Sequence, residues 1–261
     1  MAGRHTHGVT HPYLAGPHPR AFAHRGWHVD DLTGMENSLS SFRRAVQEGY
    51  RYIETDVHAT ADGEVVAHHD HTLDRTTDGE GRVADLPWTE VRLARIGGRE
   101  PIARLADVLE ELPDTFFNID VKSDSAVEPI ITLLRKAKAL HRVCLASFSD
   151  NRLARLRRQG GPELLTSMGP RSAGALWAAG RIPLAGLVVR GQVAQVPVNQ
   201  GRLKVVDKRF VQAAHRRALE VHVWTIDDEA DMRALLDLGV DGLVTDRPDV
   251  LRDVLRSRGT W

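Results

Sequence analysis

The sequence predicts an α/β fold, a single (β/α)8 barrel, and three observations carry that expectation. Apolar β-prone runs alternate with stretches of helical period through most of the chain; eight such runs can be counted; and no boundary linker interrupts them. Ionisable residues also follow several runs directly, as at His24-Arg25-Gly26, Glu54-Thr55-Asp56, His68-His69-Asp70 and Asp120-Val121-Lys122. The C-terminal ends of parallel barrel strands converge on one mouth, so side chains placed there meet in one site.

The first strand is expected at 21–24, followed by a helix at 38–48 with Leu39, Phe42, Ala45 and Val46 on one face. A strand at 51–57 leads through the turn Ala61-Asp62-Gly63-Glu64 into a short extended piece at 64–68. Residues 70–100 hold many Gly, Asp, Arg and Thr with little strand or helix period before Trp88, and read as an excursion from the core. Alternation resumes with a strand at 116–121, a helix at 126–139, a strand at 143–147 and a helix at 150–159. Strands are then expected at 163–168, 184–190, 220–225 and 241–245, with helices at 207–218, 228–238 and 247–256. Asp228, Glu229 and Asp231 sit at a helix start, where the macrodipole favours acids. The Ala-rich stretch 172–179 could face either the barrel or a partner, and oligomeric state stays open. A doubly wound sheet is the fallback, weakened by the lack of a Gly-rich fingerprint after any strand.

At 261 residues the chain has the size of one such barrel, and 42% apolar content suffices for a large core. Thirty-five basic and 35 acidic residues balance, so no net field favours nucleic acid or an anionic membrane. The single cysteine, Cys144, excludes an internal disulfide framework and reads as a buried thiol. Residues 1–20, polar and rich in His, Gly and Pro, are expected to form a flexible tail ahead of one domain at 21–261. Neither a signal-peptide core nor a membrane-spanning run is visible, which makes the cytoplasm the expected location and stable membrane insertion unexpected.

Glu54 and Asp56 stand two apart on a strand and point to one face. Crowded carboxylates repel unless a cation lies between them. With Asp120 they make an oxygen-rich set suited to Mg²⁺ or Ca²⁺, although an acidic pair at a strand end can also be a solvated edge or half of an ion pair. His24 and His69 titrate near neutrality and can move protons, or can simply be hydrogen-bonded residues of the mouth. Arg25 and Lys122 are either ion-pair partners or phosphate contacts. Taken together, a metal, two imidazoles and two cations describe hydrolysis of a phosphate ester. A sugar isomerase would also want the metal and histidines but has less use for both cations.

These residues lie in motifs that resemble the glycerophosphodiester phosphodiesterase family. They are His24-Arg25-Gly26, Glu36-Asn37-Ser38, Glu54-Thr55-Asp56-Val57, His69-Asp70, Leu73-Asp74-Arg75-Thr76-Thr77 and Asn118-Ile119-Asp120-Val121-Lys122. Ser147-Phe148, Val223-Trp224-Thr225 and the run from Asp241 to Pro248 continue the likeness in the family's order. The resemblance implies a TIM barrel with a small insertion after the second barrel strand, which residues 57–100 would supply, and hydrolysis of glycerophosphodiesters to glycerol 3-phosphate and an alcohol with a divalent cation, Mg²⁺ or Ca²⁺, with Mn²⁺ as a further candidate. It implies His24 and His69 as the acid–base pair, Glu54, Asp56 and Asp120 as metal ligands, and Arg25 and Lys122 as phosphate contacts. Trp224 would wall the glycerol or leaving group, or pack at the mouth, and Asn37 would support its loop or the site. Many family members have Glu where this chain has Asp120, which shortens the reach of that ligand by a methylene.

Two alternatives keep the fold. A lysophospholipase D or a cyclising phospholipase would need an apolar ramp, to which Leu86-Pro87-Trp88 could contribute, although that segment is more simply a packing anchor. A non-catalytic barrel binding phosphate metabolites would not require the full set of histidines, acids and cations.

Overall fold

The computed structural model describes residues 11–182 and 188–261. Parallel strands alternate with helices in the order β1 Arg20–His24, α1 Leu39–Gln47, β2 Tyr52–Ala59, α2 Leu105–Glu111, β3 Phe116–Val121, α3 Val127–Lys136, β4 Val143–Ala146 and α4 Asp150–Gly160. The second half continues as β5 Leu165–Thr166, α5 Pro170–Ala179, β6 Val193–Pro197, α6 Lys208–His215, β7 Glu220–Trp224, α7 Glu229–Leu238, β8 Gly242–Thr245 and α8 Pro248–Ser257. The strands pair in the order β5-β4-β3-β2-β1-β8-β7-β6. Ser167 bridges Val193 to close the ring, and the Met168 N–H donates to Val193 O at 2.8 Å. Arg157 reinforces this thin seam from α4, donating to Thr166 Oγ1 at 2.8 Å and to Ser167 O at 2.7 Å. The expected (β/α)8 barrel is the observed one.

Local chemistry explains where the helices start. Ser38 caps α1 by accepting from the Ser41 N–H, Asp207 caps α6 through the Phe210 N–H, and Asp228 caps α7 through the N–H groups of Ala230 and Asp231. Gly239 ends α7 in the left-handed conformation. Each helix then lays its apolar stripe on the sheet. Phe42, Val108, Ile130 and Leu153 belong to one half of the shell, and Leu176, Phe210, Met232 and Leu251 to the other.

The sixth strand differs from expectation. Residues 184–187 of the expected 184–190 strand lie outside the described residues, and 188–190 are not strand; the pairing partner of β7 is Val193–Pro197. Val193, Ala194 and Val196 are buried, but Gln195 and Pro197 break the apolar pattern, and Gln195 does so because it points into the mouth. Two helices also went unassigned. α2 had no expectation, and α5 covers the stretch 172–179 that could have faced a partner. Pro170 opens α5 at a first-turn position, and its Leu176 packs into the shell beside α6.

The barrel floor involves residues expected in a flexible tail. Residues 1–10 of that segment lie outside the described residues, whereas residues 11–20 pack across the strand N-termini. Tyr13 is fully buried, edge-on to Tyr52 and Phe116 at 5.3 and 5.7 Å. Arg20 donates to both oxygens of Glu220 at 2.7 Å, to Tyr52 Oη at 2.7 Å and to Leu14 O at 2.7 Å. Above this floor Phe22, Cys144, Leu165, Val193 and Val244 fill the barrel. Burial pushes the Cys144 thiol up, as fits an inert structural residue.

After β2 the chain turns back through Val65–Ala67, antiparallel to Val57–Ala59, and builds a small apolar core of its own from Val66, Leu73, Val83, Val91 and Ile96. Leu86 and Trp88 pack on that cluster. Among the described residues, no helix is long and apolar enough to cross a membrane.

Candidate active site

A cavity of about 650 Å³ opens at the C-terminal ends of the strands and takes in His24, Arg25, Glu54, Asp56, His69, Asp120, Lys122 and Trp224. Strand register creates this convergence. His24 pairs with Glu54 across β1 and β2, and Asp56 pairs with Asp120 across β2 and β3. Because the side-chain period is two, Glu54 and Asp56 both turn inward.

Sharp backbone turns aim the groups that follow β1. Arg25 and Asn37 adopt positive φ values of 55° and 57°, and Gly26 one of 87°. A Cβ on Gly26 would lie 2.3 Å from Ser41 Oγ, so the loop can fold against α1 only with glycine there. Asn37, buried under the site, donates to Asp56 Oδ2 at 3.1 Å and accepts from Thr55 Oγ1 at 2.7 Å. It therefore ties its loop to an acid of the site.

The charges are arranged as alternating pairs. Lys122 Nζ spans Asp56 Oδ1 at 2.8 Å and Asp120 Oδ2 at 2.7 Å, and Arg25 Nε lies 3.2 Å from Asp56 Oδ2. Burial opposes ionisation of Asp56, but Lys122 and Arg25 outweigh it and hold the carboxyl below its usual range. Among the described residues no lysine or arginine side chain pairs with Glu54; the basic group against it is His24, whose Nε2 lies 3.6 Å from Glu54 Oε2. Burial and the adjacent Asp56 push Glu54 up to about 8, and burial likewise raises Asp120. Asp120 Oδ1 is buried with no hydrogen-bond partner. Among the described residues, no three His, Cys, Asp or Glu side chains close into a ready-made metal cage. An orphaned carboxylate oxygen among three crowded, buried acids is what an oxygen-ligand cation would relieve, so Glu54, Asp56 and Asp120 fit one.

Each histidine leans on a carboxylate. His24 Nδ1 lies 2.7 Å from Asp246 Oδ1, which also faces His28 Nε2 at 3.1 Å, and His69 Nδ1 lies 2.6 Å from Asp70 Oδ1. Burial works against ionisation of Asp246, but His24 and His28 outweigh it and hold the carboxyl low. Arg75, first among the causes, holds Asp70 low as well. An ionised carboxylate only accepts, so each Nδ1 carries the proton and each Nε2 is left to exchange one. For His24, burial disfavours the cation, yet Glu54 and Asp246 together raise its pKa.

The sequence reading placed eight residues at the site, seven from strand ends and Trp224 from the resemblance, and all eight line one cavity. It assigned no role to Asp246, Asp70, Asn118 or Gln195. Asp246 directly follows β8, so the rule that found His24 could have found it. Gln195, which donates to Asn118 Oδ1 at 2.9 Å, lies in the sixth strand, which the sequence reading places at 184–190 rather than at Val193–Pro197. Trp224 sits edge-on to Phe148 at 5.5 Å. Leu86 and Trp88 pack on the insertion core, the simpler packing-anchor reading of that segment, and do not line the cavity. The apolar wall comes instead from Phe148, Met168, Ala173, Trp177 and Leu203.

Comparison with known proteins follows the same lines. The model of the glycerophosphoryl diester phosphodiesterase family matches residues 24–250. A probable glycerophosphodiester phosphodiesterase 2 of Mycobacterium tuberculosis is 39% identical over 251 residues, 92% of each chain. A lysophospholipase D of Mus musculus is 25% identical, covering 91% of this chain and 86% of its own. The crystal structure of a glycerophosphodiester phosphodiesterase from Agrobacterium tumefaciens superposes with a TM-score of 0.75 at 27% identity, covering 90% of this chain and 99% of that one.

Proposed function

Since the chain belongs to the glycerophosphoryl diester phosphodiesterase family and is a phosphoric diester hydrolase, we propose that it cleaves glycerophosphodiesters to glycerol 3-phosphate and an alcohol, with His24 and His69 as its acid–base pair. The observation that carries this is the meeting in one cavity of two carboxylate-backed histidines, three acids and two cations. One Nε2 takes the proton from the attacking oxygen as the new P–O bond forms, that of water directly, or that of the glycerol hydroxyl with water then opening the cyclic phosphate. The other delivers a proton to the alcohol oxygen as its P–O bond breaks. Arg25 and Lys122 offset the charge on the phosphoryl oxygens, Arg25 through a planar fork and Lys122 as a point charge. Trp224 and Phe148 wall the substrate.

Glu54, Asp56 and Asp120 would hold a divalent cation, Mg²⁺ or Ca²⁺ before Mn²⁺, which when bound supplies charge stabilisation at the phosphoryl group. Glu54→Gln and Asp120→Asn are each expected to weaken cation binding measured by calorimetry. An unchanged titration in either variant removes that residue from the ligand set.

A second reading, cleavage of lysophospholipids, is favoured by the apolar wall of Met168, Ala173, Trp177 and Leu203, and by the name of the mouse relative. Glycerophosphocholine is expected to be turned over faster than lysophosphatidylcholine. The reverse ranking, abolished by Trp177→Ala, would make the acyl chain part of the natural substrate.

A further inference from the structure

Arg75 belongs to none of the groups above, yet all four of its hydrogen bonds run to carboxylates that hold a site residue. Its Nε donates to Asp70 Oδ2 at 2.5 Å and its Nη2 to Asp70 Oδ1 at 3.1 Å. On the other side its Nη1 donates to Glu36 Oε2 at 3.0 Å and its Nη2 to Glu36 Oε1 at 2.7 Å. Asp70 Oδ1 is the oxygen that faces His69 Nδ1, and Glu36 Oε1 is the oxygen that accepts from Arg25 Nη1 at 2.9 Å. One guanidinium nitrogen, Nη2, thus joins the two oxygens that orient His69 and Arg25.

We propose that Arg75 is a positioning residue that sets the acid–base histidine and the phosphate-binding arginine together, a role that rests on the function proposed above. The insertion supplies it. Leu73 is buried in the insertion core and Thr77 Oγ1 donates back to Leu73 O at 2.8 Å, which fixes the turn that carries Arg75. Without the guanidinium, Glu36 and Asp70 are left as like charges with nothing between them, and each shifts the partner it holds. Lysine does not reproduce this arrangement, because three donors on one nitrogen cannot supply the four hydrogen bonds, two to each carboxylate, that the planar fork makes here. The side chain is half exposed, where ion pairs contribute little stability. Misplacement of reacting groups by about 1 Å, by contrast, can cost on the order of 100-fold in rate.

The test compares Arg75→Met, Arg75→Lys, Asp70→Asn and Glu36→Gln on a cleaved diester, with glycerol 3-phosphate binding measured by calorimetry. Asp70→Asn is expected to lower kcat with little change in KM, and Glu36→Gln to raise KM and weaken glycerol 3-phosphate. Arg75→Met is expected to do both, by roughly 10-fold or more in each, with a near wild-type melting temperature and no recovery in Arg75→Lys. The double variant Arg75→Met/Asp70→Asn should have a kcat close to that of the worse single variant. Arg75→Met with kcat and KM within twofold of wild type, or full recovery by lysine, would overturn the proposal. If the wild-type chain cleaves no diester, the proposed function fails separately. The binding arm then decides: weaker glycerol 3-phosphate in Arg75→Met supports the proposal, and unchanged affinity overturns it.

Discussion

Replacing His24 with alanine is expected to lower turnover of a glycerophosphodiester by roughly 10²- to 10⁴-fold, and His69→Ala by a comparable factor. Both rings line the cavity and both present Nε2 while Nδ1 is engaged by an ionised carboxylate, so neither has a substitute for its proton. Neither ring belongs to an apolar core cluster, so the fold should persist. The variants should also keep their affinity for the cation, because the proposed ligands are carboxylates. Steady-state kinetics paired with calorimetric cation titration separates these roles. Turnover within a few-fold of wild type in both variants would discard the paired acid–base assignment.

At the opposite end of the barrel, Glu220→Gln is expected to destabilise the protein by roughly 3–5 kcal/mol. Glu220 takes two hydrogen bonds from the buried Arg20 and faces His222 and His18 at 3.0 Å each. The amide would leave a guanidinium charge enclosed at the barrel floor without its counterion. Burial opposes ionisation of Glu220, but Arg20, His18 and His222 outweigh it and hold the carboxyl far below its ordinary 4.5. A carboxyl depressed on folding stabilises fully above its unfolded value and loses that contribution as pH falls through the folded one. Wild-type stability should therefore decline below about pH 4.5, more steeply than that of the Gln variant. Urea unfolding across this range measures both effects. A loss under 1 kcal/mol at neutral pH, or parallel acid limbs, would show the pair to be solvated rather than enclosed.

The architecture was legible because seven of the eight strands are apolar runs with turn or helix signals around them, and because strand ends in a parallel barrel share one mouth. β6 escaped because its inward position is Gln195, a residue placed for the site at the expense of the apolar pattern. The floor escaped for a related reason. Tyr13 and Arg20 are buried by contacts with Tyr52, Phe116 and Glu220, residues far along the chain whose approach no local pattern announces. Within the site, residue types at strand ends exposed the groups that face substrate. Asp246 was open to the same rule, but that it and Asp70 back the two histidines became readable only once distances fixed which nitrogen of each ring was engaged.

Incubation of the chain with glycerophosphocholine, followed by phosphorus NMR, tests the proposed hydrolysis most directly. Glycerol 3-phosphate and choline should form with Mg²⁺ or Ca²⁺, stop forming when EDTA is added, and form again when the cation is restored. Intact diester under every cation, with other head groups substituted for choline as well, would contradict the proposed hydrolysis, and cleavage indifferent to EDTA would contradict its dependence on a cation held by Glu54, Asp56 and Asp120.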